Sequence, residues 1–188
     1  MKLLTLVAHV EYSAGMPTGS LTDEQIDRLL AVTRDPRTAL LVRLLLLEGF
    51  GLGEILALDH QQIVGPRRSM SAELVRHGRP QSISLHSDTC AAVSVLQRSV
   101  GTAGPLLAAA QPAGAGQRIS RFGADYLIKH AAAAAGLDAS VSANTLRRSH
   151  ALVAQRQGVH ILDTRDRMGH RDVRTTHRHL GGDSLSTT

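Results

Sequence analysis

Aromatic side chains are nearly missing from this chain. Tryptophan does not occur, and only 2 Tyr and 2 Phe are found among 188 residues. The core must therefore be assembled from Leu, Val, Ile and Ala, which suits helices better than a β-sandwich. Cysteine is represented by Cys90 alone, which excludes an intrachain disulfide and a cysteine cluster for zinc. Its setting, Thr89-Cys-Ala-Ala-Val93, reads as a buried helix face rather than a reactive thiol. Long apolar runs are missing too. Residues 41–47 are apolar but broken by Arg43, and the run is far too short to span a bilayer. The opening Met1-Lys-Leu-Leu-Thr-Leu-Val-Ala8 imitates a signal peptide only weakly, because His9 and Glu11 end its apolar run before any convincing cleavage site. The expectation is a cytoplasmic protein with no membrane partner.

What is present points to one packed domain with a basic surface. Hydrophobic residues make up 43% of the chain, enough for a single core at this length. The formal charge is +5, carried almost wholly by arginine, and the sequence pI is about 10.3. A guanidinium presents a planar fork of donors that matches two phosphate oxygens, so a polyanionic partner fits this charge. Charge alone equally fits a soluble protein from an arginine-rich proteome.

Residues 1–20 read as an N-terminal extension, 21–182 as the domain and 183–188 as a tail. Thr22-Asp-Glu-Gln25 forms a capping box, with Leu21 and Ile26 placed as its hydrophobic staple. Asp35-Pro36 starts a second helix, predicted to run to Gly49, and a short helix is predicted over 53–58. Alternation over 73–76 and 81–85, with His77-Gly-Arg-Pro80 between, predicts a β-hairpin with a basic tip. Ser87 is expected to cap a helix ending near Val100, and residues 111–116 read as a surface loop. Ser120 and Ser142 open two further helices, closed by Gly136 and Gly158, and helices over 161–168 and 173–180 finish the domain. The predicted class is mainly α with one small antiparallel sheet, without an internal repeat.

Phosphodiester transfer needs a nucleophile for phosphorus, cations for the non-bridging oxygens and an acid for the leaving oxygen. Three stretches bear on these needs. They are Leu45-Leu-Leu-Glu-Gly-Phe-Gly-Leu-Gly-Glu-Ile-Leu-Ala-Leu-Asp59, Val75-Arg-His-Gly-Arg-Pro-Gln-Ser-Ile-Ser-Leu85, and the tail Asn144-Thr-Leu-Arg-Arg-Ser-His150 followed by Met168-Gly-His-Arg-Asp-Val-Arg-Thr-Thr-His-Arg-His179. Each alone is a weak signal. In this order and spacing they resemble the catalytic domain of the tyrosine recombinases, the phage integrase family, over residues 21–180. The first is similar to T-G-L-R-x-S-E-L-L-x-L, the second to the G-K-G-x-K-x-R-x-V-P-L hairpin, and the third to H-x-x-R-H, L-G-H and T-T-x-x-Y. The resemblance implies that family's fold and a role in DNA recombination or integration, with no cofactor.

Carried over residue by residue, the resemblance implies a degenerate site. The family's first arginine falls on Gly51, while the acidic residue after it is kept as Glu54. The hairpin lysine falls on Arg76, which stays ionised and is a poor proton donor. The histidine of H-x-x-R falls on Asn144. Arg147 is kept and Arg148 follows it. His170 is kept, and the nucleophilic tyrosine falls on His179. Tyr12 and Tyr126 lie outside these motifs. Removing one preorganised donor to a developing oxyanion costs roughly 3–4 kcal/mol, so the combined changes imply a site without useful turnover.

The expectation is thus a pseudoenzyme that holds the phosphate backbone of double-stranded DNA, acting as a regulator or accessory factor. Its expected contacts are Arg76, Arg79, Arg147, Arg148, His170, Arg171 and Arg174. With about 20 residues before Leu21, such a chain is expected to form half a clamp and to bind weakly and in a salt-sensitive way. Two alternatives stay open: an active recombinase using His179 as nucleophile, and a protein-interaction scaffold without DNA binding. Homo-oligomerisation through residues 173–180 is compatible with any of them. His170, His177 and His179 are not joined by a clearly placed carboxylate, and no metal site is expected.

Overall fold

The computed structural model describes residues 19–110 and 116–180. The expected N-terminal extension up to residue 18, most of the 111–116 loop and the tail beyond residue 180 lie outside the described residues, as does Tyr12. Eight α-helices and a three-stranded antiparallel sheet follow one another among the described residues.

Helix α1 (Asp23–Val32) starts at the expected capping box: Gln25 N–H donates to Thr22 Oγ1, and Thr22 N–H donates to the Gln25 side chain. Helix α2 (Pro36–Leu46) is capped by Asp35, which accepts from the Thr38 N–H at 2.9 Å. It is the axis of the core. Leu40, Leu41, Val42, Leu44 and Leu45 are completely buried, as expected of a helix that is apolar on nearly every side. It stops before Gly49 because Leu47 and Glu48 both donate back to the Arg43 carbonyl and Gly49 takes a left-handed φ of 67°.

Helix α3 (Leu52–Ala57) begins one residue earlier than predicted. Glu54 reaches back to the Gly51 N–H at 2.7 Å, and this contact defines the start. A 3-10 turn (His60–Gln62) leads into the sheet of β1 (Ile63–Val64), β2 (Ser71–Arg76) and β3 (Arg79–Ser84), in that spatial order. β1 was not anticipated; two residues are too few to show alternation. The hairpin turn is only His77-Gly78, both with positive φ (54° and 75°), so Arg79 and Pro80 belong to β3 rather than to the turn. Pro80 is tolerated there because β3 is an edge strand.

Helix α4 (Ser87–Val100) is capped by His86, whose Nδ1 accepts from the Asp88 N–H, and not by Ser87, which is its first helical residue. Helices α5 (Arg121–Ala134) and α6 (Ala143–Arg156) are capped by Ser120 and Ser142 as the sequence indicates. Helices α7 (Ile161–Met168) and α8 (Val173–His179) close the chain, with the left-handed Gly169 ending α7. α2 packs against α1, α4, α5 and α6, and α8 lies on α6 and α7. Cys90 is buried, its sulfur accepting from the Met70 N–H.

Candidate functional site

Four segments meet where α2 hands over to α3. They are the Gly49–Phe50–Gly51 loop, the end of β2, the second turn of α6 and the connection from α7 to α8. Arg147 of α6 is the hub. Its Nε donates to the Gly49 carbonyl at 3.1 Å, and its Nη2 donates to the Met168 carbonyl at 2.8 Å and lies 3.2 Å from His170 Nε2. Gly49 must be glycine. Its φ is left-handed, and a Cβ there would stand 2.5 Å from the buried His150 ring.

His170 follows the Gly169 turn and is half-buried. Its Nδ1 is 2.9 Å from the hydroxyl of the fully buried Thr176. His179, one turn further along α8, stacks on His170 with ring centroids 5.0 Å apart. Burial pushes both imidazoles down to about 4, helped by Arg147 in each case, by His179 and Arg76 for His170, and by Arg148 and Arg178 for His179. Burial likewise lowers Arg147 from its ordinary value, opposed by Glu54 and reinforced by Arg76. Both histidines are therefore neutral near pH 7, and the fixed positive charge of the pocket belongs to arginine.

The structure brings Arg147, His170 and His179 together as the motif order implies. Gly51 lies at the same junction as the N-cap of α3, with Glu54 folded over it. Asn144 is exposed, one helical turn before Arg147. Arg79, Arg171 and Arg174 are exposed, Arg174 being 3.7 Å from Asp172, and Arg148 is half-buried on α6.

Arg76 departs from expectation. It was expected at an exposed basic tip, yet its side chain is only 2% exposed. Ala72, Leu74 and Arg76 all face the core, because strand side chains alternate with period two. Its Nε and Nη2 bind both oxygens of Glu54 at 2.7 and 3.2 Å, and its Nη1 donates to the Asp166 and Arg167 carbonyls, each at 2.9 Å. The guanidinium also lies over the Phe50 ring, 5.3 Å from its centroid. Arg76 is a buried tie and not a surface contact.

Sequence reasoning missed Glu48 altogether. It is completely buried, accepts from the His86 N–H at 2.9 Å and pairs with Arg167, which also donates to the Ser84 carbonyl. A carboxylate beside Gly49 at the end of an otherwise apolar helix was the available signal. Among the described residues, no cluster of three or more His, Cys, Asp or Glu could hold a metal ion, and no helix is long and apolar enough to cross a membrane.

This arrangement of helices around a small antiparallel sheet is the catalytic-domain fold of the tyrosine recombinases. The sequence matches the model of the phage integrase family over residues 19–180, and the chain belongs to that family. XerA recombinase is similar at a TM-score of 0.76 and 18% identity, over 90% of this chain and 62% of that one. XerH site-specific recombinase bound to its difH substrate is similar at a TM-score of 0.70 and 14% identity, over 93% of this chain and 54% of that one. Lambda integrase (residues 75–356) bound to DNA gives a TM-score of 0.62 and 16% identity, over 84% of this chain and 58% of that one. The chain thus spans less than two thirds of each. At these identities the likeness is one of fold. Comparison of the sequence with curated proteins gives no match.

Proposed function

We propose that this domain grips double-stranded DNA through the pocket around Arg147 and does not cut it, serving as a regulator or accessory factor on DNA. What supports the reading is the contact of Arg147 with His170, taken together with a histidine at the position the motif resemblance gives to the nucleophile. Arg147 is held between two carbonyls beside His170, and His179, the position to which the motif resemblance assigns the family's tyrosine, stacks on His170 from α8. The net charge of +5, and the exposed Arg79, Arg171 and Arg174, support a polyanionic partner. XerH and lambda integrase, with related folds, are DNA-bound in their structures.

What the pocket offers supports a loss of cutting. Position 51 contributes only a backbone N–H, which Glu54 already takes. Arg76 has four of its five N–H donors committed inside the protein. One missing oxyanion donor costs about 10²–10³ in rate, and such losses, although not additive, leave little turnover.

The test is retention of duplex DNA at low salt, compared with Arg147→Ala. Retention that falls steeply with salt and weakens in the variant is expected, while no retention at all removes the reading and favours a protein-interaction role. A second reading has one observation behind it: His179 is a neutral imidazole next to Arg147, and a neutral imidazole can attack phosphorus. A suicide DNA substrate separates the two. A covalent adduct lost in His179→Ala would establish an active enzyme, and its absence leaves the binding role.

A further inference from the structure

Three consecutive carbonyls at the end of α7 are occupied by two arginines from elsewhere in the chain. Asp166 and Arg167 are taken by Arg76 of β2, and Met168 by Arg147 of α6. The last carbonyls of a helix lack intrahelical partners and carry its negative dipole end, so guanidinium groups are well suited to them. The connection that follows, Gly169-His170, delivers His170 to Arg147.

We propose that Arg76 is a positioning residue for this pocket: by clamping the end of α7 to Glu54, it sets the Gly169-His170 turn so that His170 meets Arg147. The clamp spans three elements. The carboxylate comes from α3, the guanidinium from β2 and the carbonyls from α7, while Phe50 of the loop lies beneath the guanidinium plane. Gly169 is part of the same fit. Its φ is 70°, and a Cβ there would stand 2.7 Å from Arg76 Nε. A longer side chain at 169 would expel the guanidinium.

The clamp also fits the glycine at position 51. A Cβ on Gly51 would lie 3.2 Å from Glu54 Oε2, one of the two oxygens that Arg76 holds. An arginine at 51 would compete with Arg76 for that carboxylate. Arg76 therefore pairs with Glu54 and acts on the pocket from within, its side chain only 2% exposed.

The experiment uses the full chain with Arg76→Gln, Arg76→Lys and, for contrast, Arg79→Gln. Nitrogen-edited NMR reads the His170 imidazole shifts and its titration; a short DNA duplex at several salt concentrations reads the binding slope. Arg76→Gln is expected to move the His170 resonances and raise its pKa from about 4, because a cation is removed, Glu54 is unmasked and the turn loosens. Arg76→Lys keeps the charge but not the fork, and is expected to shift the resonances less. Where DNA is bound, Arg76→Gln weakens it without changing the salt slope, whereas Arg79→Gln lowers the slope by about one. Should Arg76→Gln fail to fold, Arg76→Lys supplies the same readout. His170 signals and titration unaltered in the folded variants overturn the proposal, as does a slope reduced by about one for an Arg76 variant. The NMR readout stands whether or not DNA is retained, so failure of DNA binding would count against the function proposed above and leave the clamp to be judged separately.

Discussion

Arg147 Nη2 and His170 Nε2 face each other at 3.2 Å, and this contact fixes the tautomer of the histidine. A guanidinium can only donate, so Nε2 is the acceptor and the ring proton resides on Nδ1, where it is donated to Thr176 Oγ1. A protonated His170 would set an N–H against the guanidinium, in line with its depressed pKa of about 4.

Arg147→Ala is expected to weaken the fold and, under the function proposed above, the retention of DNA. It leaves the Gly49 and Met168 carbonyls without their donor, at a cost of about 1–3 kcal/mol. Arg147→Lys should recover little, because one ammonium cannot reproduce a fork that meets two carbonyls and an imidazole. Denaturant unfolding and low-salt DNA retention on the same samples check both parts.

The stability of the fold should fall as pH drops from neutrality toward about 4. His150, His170 and His179 each have a native pKa pushed down to about 4 from the ordinary 6.5. Between those values the unfolded chain binds protons that the native chain refuses, so stability rises with pH there, and below about 4 this loss levels off. His150 is the most deeply buried of the three, its Nδ1 on the Leu46 carbonyl and its Nε2 without a partner among the described residues. Replacing any one of the three by Gln should remove a comparable share of the dependence, as read by melting temperature against pH.

Gly49→Ala should be disproportionately harmful for so small a change. The left-handed backbone and the approach of the new Cβ to the His150 ring together cost roughly 2–4 kcal/mol. Because the Gly49 carbonyl also seats Arg147, DNA retention should fall with stability. A variant as stable as the parent would show that the loop can rearrange freely.

The Glu48–Arg167 pair should respond unequally to truncation. Arg167→Ala strands a carboxylate that is wholly buried, a loss of about 3–5 kcal/mol. Glu48→Ala strands a guanidinium that is 35% exposed and can regain water, so its cost should be smaller. Chemical denaturation of the two variants compares them directly; equal losses would contradict the argument.

How far the sequence could be read follows from the range of the interactions concerned. The caps at Thr22, Asp35, Ser120 and Ser142 were legible because each contact spans three residues, and a three-residue pattern is visible in the chain. The hairpin was legible as alternation, yet its tip was misjudged. Arg76 was expected to face DNA because it ends its strand beside the basic tip and falls on the family's hairpin lysine, whereas it shares the inward parity of Ala72 and Leu74. The parity was visible in the sequence, but the register that gives it meaning was not.

The sequence by itself determined a leucine-centred helical domain, the family to which the chain belongs, and the residue types at Gly51, Asn144, Arg147, His170 and His179. These depend on local pattern and on composition. Only the tertiary structure decided that Arg76 turns inward onto Glu54 and that Arg147 ties Gly49 to Met168. Those contacts join residues 22 and 98 positions apart, or meet at the end of a helix late in the chain. The physical reason is that a guanidinium in sequence is simply a cation; the carbonyls and carboxylates that folding places around it settle whether it braces the interior or faces a partner.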